Sequence, residues 1–192
     1  MKNYKTNFLL AVALIAFAII TRIICVEMQW FNLAPVTAVG LFAGSVMKEK
    51  KYAFLFALLG QLGGDLYMQF FTGTAGFYGI DQAFVYLSLL AVTAVGFGMK
   101  QPKILNVAGF SLIAALVFFL LSNFGVWVAI ETGKMDIFNY GTGITGLVNT
   151  YIAAIPFLKN TLISTVAGSV ALFGIYHLLQ TGFAKKAAYS HA

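Results

Sequence analysis

The fifth apolar stretch of the chain decides the fold class: residues 104–130 read ILNVAGFSLIAALVFFLLSNFGVWVAI and contain no charged side chain. An apolar run of this length can cross the hydrocarbon core of a bilayer as an α-helix. A membrane-spanning β-strand would instead alternate apolar and polar residues over about ten positions. Because residues 104–121 and 8–20 are apolar on all sides, the sequence predicts an all-α membrane protein built as a helix bundle.

The overall composition is also that of a membrane protein. Of the 192 residues, 60% are hydrophobic and only 9% are charged, which is too little charge to cover the surface of a soluble domain. The sequence predicts a single integral membrane domain, residues 1–192, with six transmembrane helices at about 7–26, 34–47, 52–71, 83–99, 104–130 and 160–180. Segment 140–158, which is rich in glycine and carries a proline, is predicted to form a loop and a short helix at the outer face.

The placement of the lysines predicts the orientation. Six spans put nine lysines on one side, which the positive-inside rule identifies as the cytoplasm: Lys2, Lys5, Lys48, Lys50, Lys51, Lys100, Lys103, Lys185 and Lys186. Both termini then lie on the cytoplasmic side of a bacterial inner membrane. The net charge of +6 is divided among short clusters between apolar segments, which argues against a nucleic-acid partner.

Two charged residues within the spans are the strongest functional candidates, because charge in a membrane is costly. Arg22 and Asp65 lie at a similar depth in the outer halves of their helices. They form a structural ion pair, face an outward-opening ligand cavity, or do both. A largely apolar pocket with a few convergent polar groups is the usual form of a small-molecule site. The other predicted ligand-binding residues are Asn32, Thr37, Gln61, Tyr78, Gln82, Asn123, Trp127 and Asn160. For each aromatic residue, a place in the interfacial belt is the alternative.

The sequence gives no sign of catalytic or metal chemistry. Its single cysteine, Cys25, excludes a disulfide framework within the chain and a cysteine-rich metal site. His177 and His191 are predicted at the cytoplasmic end, far from Asp65, which leaves neither a catalytic triad nor metal-ligand spacing. The pattern G-x-G-x-x-G at 141–146 follows no strand, so a dinucleotide site is not expected. We therefore expect a protein that is not an enzyme and that needs neither metal nor cofactor.

Three parts of the chain resemble the signatures of an uncharacterised six-helix bacterial membrane family. The first combines Arg22 with FNLAPV at 31–36 and segment 38–44, the second is FFLLSNFGVW at 118–127, and the third extends from Gly146 to LFG at 172–174. That family is in turn similar to the substrate-binding (S) components of energy-coupling-factor (ECF) vitamin transporters. The resemblance implies a compact bundle of six transmembrane helices with a ligand pocket near the extracellular side.

By this resemblance, the protein would bind a vitamin-like or nucleobase-like solute outside and release it inside after toppling in the membrane. Its partner would be an ECF coupling subunit with two ATPases. The first helix has no Ala-x-x-x-Ala patch for docking that subunit, so action without it stays open. Loop 75–79 reads AGFYG and has no cysteine, so cobalt ligation of the kind used by a cobalamin-binding relative is not expected.

The alternative function is that of a non-transporting membrane scaffold or assembly protein, in which the buried polar residues are purely structural. A scaffold would be packed solid, whereas a transporter needs a cavity of at least a few hundred cubic ångströms.

Overall fold

Six α-helices follow one another in the part of the chain that the structure describes. The structure is a computed structural model that describes residues 2–30, 33, 35–134 and 139–189. In these residues it contains no strand, which confirms the predicted all-α class. The helices are α1 (Lys2–Glu27), α2 (Val36–Val46), α3 (Lys50–Phe71), α4 (Ile80–Phe97), α5 (Ile104–Glu131) and α6 (Gly143–Tyr189).

Among the described residues, three helices are long and apolar enough to cross a membrane. They are α4, α5 and the part Gly143–Gln180 of α6. Helix α2 is apolar but has only 11 residues, fewer than the roughly 20 that a span needs. The length and composition of the three long helices suggest a membrane protein.

The short helix α2 forms the centre of the bundle. It contacts each of the other five helices, and its residues from Val36 to Gly44 are all buried. A helix that is covered by protein on every side is apolar on every side, which accounts for the lack of a polar face in its sequence.

Pairs of glycines bring neighbouring helices close together. Gly40 and Gly44 of α2 lie against α4, and a Cβ atom on Gly44 would overlap the backbone oxygen of Thr93. Gly60 and Gly64 of α3 lie against α1 in the same way. Small residues four apart permit such close packing, and here they serve contacts within the chain.

Helix α6 differs from the sequence prediction. Instead of a loop and a short helix over 140–158 with a span from about 160, one helix of 47 residues begins at Gly143. Gly141 and Gly143 have positive φ angles of 79° and 63°, which is typical of a tight turn, and this turn ends where the helix begins at Gly143. Pro156 lies inside the helix. A proline has no N–H to donate to the carbonyl oxygen one turn earlier, but in a packed apolar bundle neighbouring groups can compensate for this missing bond.

The connections between helices define two ends of the bundle, which we call upper and lower. At the upper end, which holds residues 72–79 and 139–142, the N–H of Gly143 donates to Oε2 of Glu131 at 2.8 Å. At the lower end, the hydroxyl of Ser45 donates to the carbonyl oxygen of Met99 at 3.2 Å. The lysine clusters at 48–51 and 100–103 therefore share the lower end.

Candidate functional site

A cavity of about 710 Å³ lies at the upper end of the bundle, and all six helices contribute to its wall. The helical repeat explains how α6 does so. Thr150, Ala154, Phe157 and Thr161 line the cavity, and their spacing places them on one face of a helix. Farther along the same helix, Leu172 and Phe173 belong to the buried core. One helix therefore forms a cavity wall in its upper part and a packing surface in its lower part.

Asp65 is the centre of a hydrogen-bonded cluster beside this cavity. Its side chain is 0% exposed, and Oδ1 accepts a hydrogen bond from Nη2 of Arg22 at 2.5 Å. The amide nitrogen of Gln61 donates to both carboxylate oxygens, at 3.0 and 3.2 Å. Oδ2 also accepts from Nε2 of Gln82 at 3.0 Å and from the hydroxyl of Tyr86 at 2.8 Å. We call these five residues the Asp65 cluster.

The Asp65 cluster explains how a charge can be buried within this bundle. An isolated carboxylate would be very costly in a medium of low polarity, whereas one with a cationic partner and several hydrogen bonds is tolerated. Because α1 supplies Arg22, α3 supplies Asp65 and Gln61, and α4 supplies Gln82 and Tyr86, the cluster also fixes these three helices relative to one another.

The loop of residues 72–79 is tied to the same cluster. Nε2 of Gln82 donates a second hydrogen bond to the carbonyl oxygen of Gly76 at 2.7 Å, and Oε1 of Gln82 accepts from the N–H of Tyr78 at 3.3 Å. A Cβ atom on Gly76 would overlap the backbone oxygen of Asp65, so glycine is required for this approach. The loop therefore holds Tyr78 in the cavity wall.

Tyr78 contributes a neutral phenol to the cavity. Although 43% of the residue is exposed, burial of the remainder raises the pKa of Tyr78 to about 12. The positive charge of Arg22 lowers this pKa, and the nearby carboxylates of Asp65 and Asp81 raise it. The phenol of Tyr78 is accordingly protonated at physiological pH and can both donate and accept a hydrogen bond.

The structure brings together most of the residues that the sequence predicts for the site. Five of them line the cavity: Arg22, Thr37, Gln61, Tyr78 and Asn123. Two more, Asp65 and Gln82, belong to the Asp65 cluster and form hydrogen bonds with residues of the cavity wall. Asn32 lies outside the described residues. That these residues bind a ligand stays a prediction.

Trp127 and Asn160 are not wall residues of the cavity. The indole N–H of Trp127 donates to the carbonyl oxygen of Gly143 at 3.0 Å, and its ring lies 5.1 Å from that of Phe124. Trp127 therefore fixes the start of α6 against α5. Asn160 lies on α6 next to Thr161, which does line the cavity.

Among the residues of this region that sequence reasoning missed are Tyr86 and Asp81. Tyr86 follows Gln82 by four residues on α4, a spacing that places both on one helix face and could have revealed it. Asp81 lines the cavity and is 6% exposed. In the sequence it lies at the predicted outer end of a span, where acidic residues are expected to be solvated, so nothing indicated that it is buried.

Among the described residues, side chains that could bind a metal do not form a cluster. Within the described part of the chain, no group of three or more His, Cys, Asp or Glu residues is placed to hold a metal ion. Cys25 lines the cavity, and its thiol donates to the carbonyl oxygen of Leu33.

Comparison with known proteins identifies a family. A family model described as "Family of unknown function (DUF6580)" matches residues 2–188. No curated protein and no solved structure matches the chain. The matched region begins with α1 and includes almost all of α6.

Proposed function

We propose that this chain, which belongs to DUF6580, a family of unknown function, is the solute-binding membrane component of a small-molecule uptake system. The observation that carries the proposal is the cavity of about 710 Å³ at the upper end of the bundle. A volume of several hundred cubic ångströms is that of a site for a small organic molecule. The scaffold alternative predicts a solid bundle and gives no reason for a cavity of this size.

The chemistry of the cavity wall also supports solute binding. Arg22, Gln61, Asn123 and Tyr78 provide directed hydrogen-bonding groups. Phe118, Phe119 and Phe157, among others, provide apolar surface. A mostly apolar wall with a few polar groups gives affinity through burial and specificity through hydrogen bonds. This combination suits a polar, ring-containing solute such as a vitamin or a nucleobase, and no covalent chemistry is required of the protein.

The proposed orientation places the upper end outside the cell. With six spans in a bacterial inner membrane, the lysines at 48–51 and 100–103 lie in the cytoplasm, as the positive-inside rule requires. The cavity then receives solutes from outside. Helix α2 is too short for an independent span, but its neighbours cover it, so the proposed bundle does not need α2 to meet lipid.

Uptake requires a release step on the cytoplasmic side. The six-helix family that the sequence resembles is in turn similar to S components of ECF transporters, and by that resemblance the whole bundle would topple in the membrane. It would do so either on a coupling subunit driven by two ATPases or without one. In this proposal the rigid connection of α1, α3 and α4 through the Asp65 cluster keeps the loaded cavity intact during the movement.

Native mass spectrometry of the protein, purified gently from its own membranes, tests the proposal. We expect the wild-type protein to carry a bound small molecule. Asn123→Ala, which removes a cavity-wall amide, should lower the bound fraction, with a loss of affinity of roughly tenfold for one well-placed hydrogen bond.

Asn106→Ala is the matched control. Asn106 and Asn123 both lie on α5, and each donates from Nδ2 to a backbone oxygen at 2.8 Å, but Asn106 is exposed near the lower end. The control should keep the bound molecule. A wild-type protein that carries no solute under any purification condition, or equal occupancy in the two variants, would contradict the proposal.

A further inference from the structure

Positive charge is concentrated at the lower end of the bundle. Five lysines with exposed side chains lie on or next to the two connections there, and within the described residues the only carboxylate among them is that of Glu49. We call these five residues the lower lysines: Lys48, Lys50, Lys51, Lys100 and Lys103. Five cations with one anion give this surface a positive potential that attracts negatively charged molecules.

The two connections that carry the lower lysines are held side by side. The hydroxyl of Ser45 donates to the carbonyl oxygen of Met99 at 3.2 Å. Next to this bond, a Cβ atom on Gly96 would lie only 3.0 Å from the Cα atom of Gly44, so the end of α2 and the end of α4 are in close contact. The lysines at 48–51 and those at 100–103 therefore belong to one surface.

Two of the lower lysines already have partners within the chain. Nζ of Lys50 donates to the carbonyl oxygen of Gly44 at 2.8 Å and lies 4.7 Å from the centre of the Phe97 ring. Nζ of Lys51 lies 3.5 Å from Oε2 of Glu49. The other three have no carboxylate partner within the described residues and can bind an anion: Lys48, Lys100 and Lys103.

An apolar track on α5 begins beside these lysines, since α5 starts directly after Lys103. Leu105, Leu112 and Leu116 are 83%, 46% and 44% exposed, and their spacing places them on one face of the helix. Gly109 lies on the same face, and its Cβ atom would meet nothing within 4 Å, which leaves a shallow notch. We call these four residues the α5 track. It is about 16 Å long, enough for most of an acyl chain.

We propose that the lower lysines and the α5 track together bind an anionic phospholipid of the surrounding membrane. Its phosphate lies against Lys100 and Lys103, with Lys48 on the neighbouring connection, and one acyl chain lies along the track. Basic side chains at a membrane surface attract anionic headgroups. A soluble anion would match the lysines but leave the track uncovered, and a zwitterionic lipid would cover the track without matching the charge. This site is separate from the cavity and does not depend on solute binding there.

Lipid titrations followed by native mass spectrometry test this site. The full chain is delipidated in a non-ionic detergent and titrated with dioleoylphosphatidylglycerol, which is anionic, or with dioleoylphosphatidylcholine, which has the same acyl chains but is zwitterionic. We expect the first phosphatidylglycerol molecule to bind roughly tenfold more tightly than the first phosphatidylcholine molecule, because each lysine near an anionic headgroup adds to the affinity. Equal affinities for the two lipids would overturn the inference.

Two double variants with the same change in net charge assign the preference to the lower end. Lys100→Gln/Lys103→Gln should bring the affinity ratio of the two lipids to about one. Lys134→Gln/Lys159→Gln also removes two exposed lysines, but Lys134 follows α5 at the upper end and Lys159 lies close to Phe157 of the cavity wall. This control should keep the ratio. Loss of the ratio in both variants would show that net charge alone decides, and the inference would fail.

The contribution of the acyl chain is tested separately from that of the phosphate. Inorganic phosphate at the same concentration as the lipid should leave phosphatidylglycerol bound, because it cannot replace the chain on the α5 track. Gly109→Leu fills the notch and should weaken phosphatidylglycerol binding. Gly174→Leu on α6, where a Cβ atom also meets nothing within 4 Å, should not. Displacement of the lipid by phosphate, or equal affinities in the two leucine variants, would contradict a lipid site.

Discussion

Arg22 of α1 and Asp65 of α3 are 43 positions apart in the sequence and form an ion pair of 2.5 Å within the bundle. The Asp65 side chain is 0% exposed and that of Arg22 is 16% exposed. The pair connects two helices, and it also orients the part of Arg22 that lines the cavity. The structural and ligand-binding interpretations of these two residues are therefore compatible, since one arrangement can do both.

Removal of one member of this pair should destabilise the protein more than removal of both. Asp65→Leu leaves the Arg22 charge without its partner and is expected to lower the free energy of unfolding by about 3–5 kcal/mol. In Arg22→Met/Asp65→Leu neither charge is left behind, so part of that loss should be regained. Melting temperatures of the purified proteins in one detergent check this order. A double variant that melts below Asp65→Leu would contradict it.

Substitution of glycine should have opposite effects at two positions. Gly44→Ala places a Cβ atom against the backbone of Thr93, so α2 and α4 must separate, at a cost of about 1–3 kcal/mol. Gly109→Ala on α5 meets no atom within 4 Å and should stabilise the helix by up to about 1 kcal/mol. Thermal unfolding of both variants is the measurement, and an equal shift in both would disprove the close contact of α2 with α4.

The phenol of Tyr78 should ionise much later than an ordinary tyrosine. Its pKa is raised from 10.0 to about 12. The stability that its neutral form contributes is therefore complete below about pH 10 and is lost as the pH rises toward 12. Subtraction of the tyrosinate absorbance of Tyr78→Phe from that of the wild-type protein isolates this titration. A midpoint near pH 10 for the difference would show that Tyr78 is not buried in the cavity wall.

Labelling of introduced cysteines tests the proposed six-span topology. Cys25→Ser provides a background without cysteine, because the chain has only one. In this background Gly73→Cys and Lys134→Cys, at the upper end, should react with a membrane-impermeant maleimide in intact spheroplasts. Lys51→Cys and Lys103→Cys, at the lower end, should react only after permeabilisation. Labelling of upper and lower positions from the same side would refute the topology.

The helices could be predicted from the sequence where an apolar run ends in charged or turn-forming residues. For α5, the predicted bounds 104–130 and the observed bounds Ile104–Glu131 agree almost completely, because Lys103 and Glu131 flank an uninterrupted run. The prediction failed at the start of α6. Gly146 and Pro156 normally interrupt helices, but here both lie within α6, since neighbouring helices can compensate in a packed bundle.

The polar residues of the site could be predicted less completely than the helices. Arg22 and Asp65 were recognisable because charge within a predicted span is rare, and their similar predicted depth suggested that they meet. Tyr86 was missed because an aromatic residue in an apolar helix usually belongs to the core. Ligand binding by Trp127 stays a prediction; its indole N–H donates to the carbonyl oxygen of Gly143, a contact that depends on a turn whose geometry the sequence pattern does not reveal.

A cavity-filling substitution tests the central claim, that the cavity at the upper end holds a solute, most directly. Ala154 lines the cavity and is 7% exposed, whereas the adjacent Ile155 is 59% exposed. Native mass spectrometry of Ala154→Phe, Ile155→Phe and the wild-type protein compares a blocked cavity with an altered outer surface, and melting temperatures verify that all three are folded. We predict that the wild-type protein and Ile155→Phe retain the bound solute and that Ala154→Phe loses it. Retention of the solute at wild-type occupancy by a folded Ala154→Phe protein would contradict the claim.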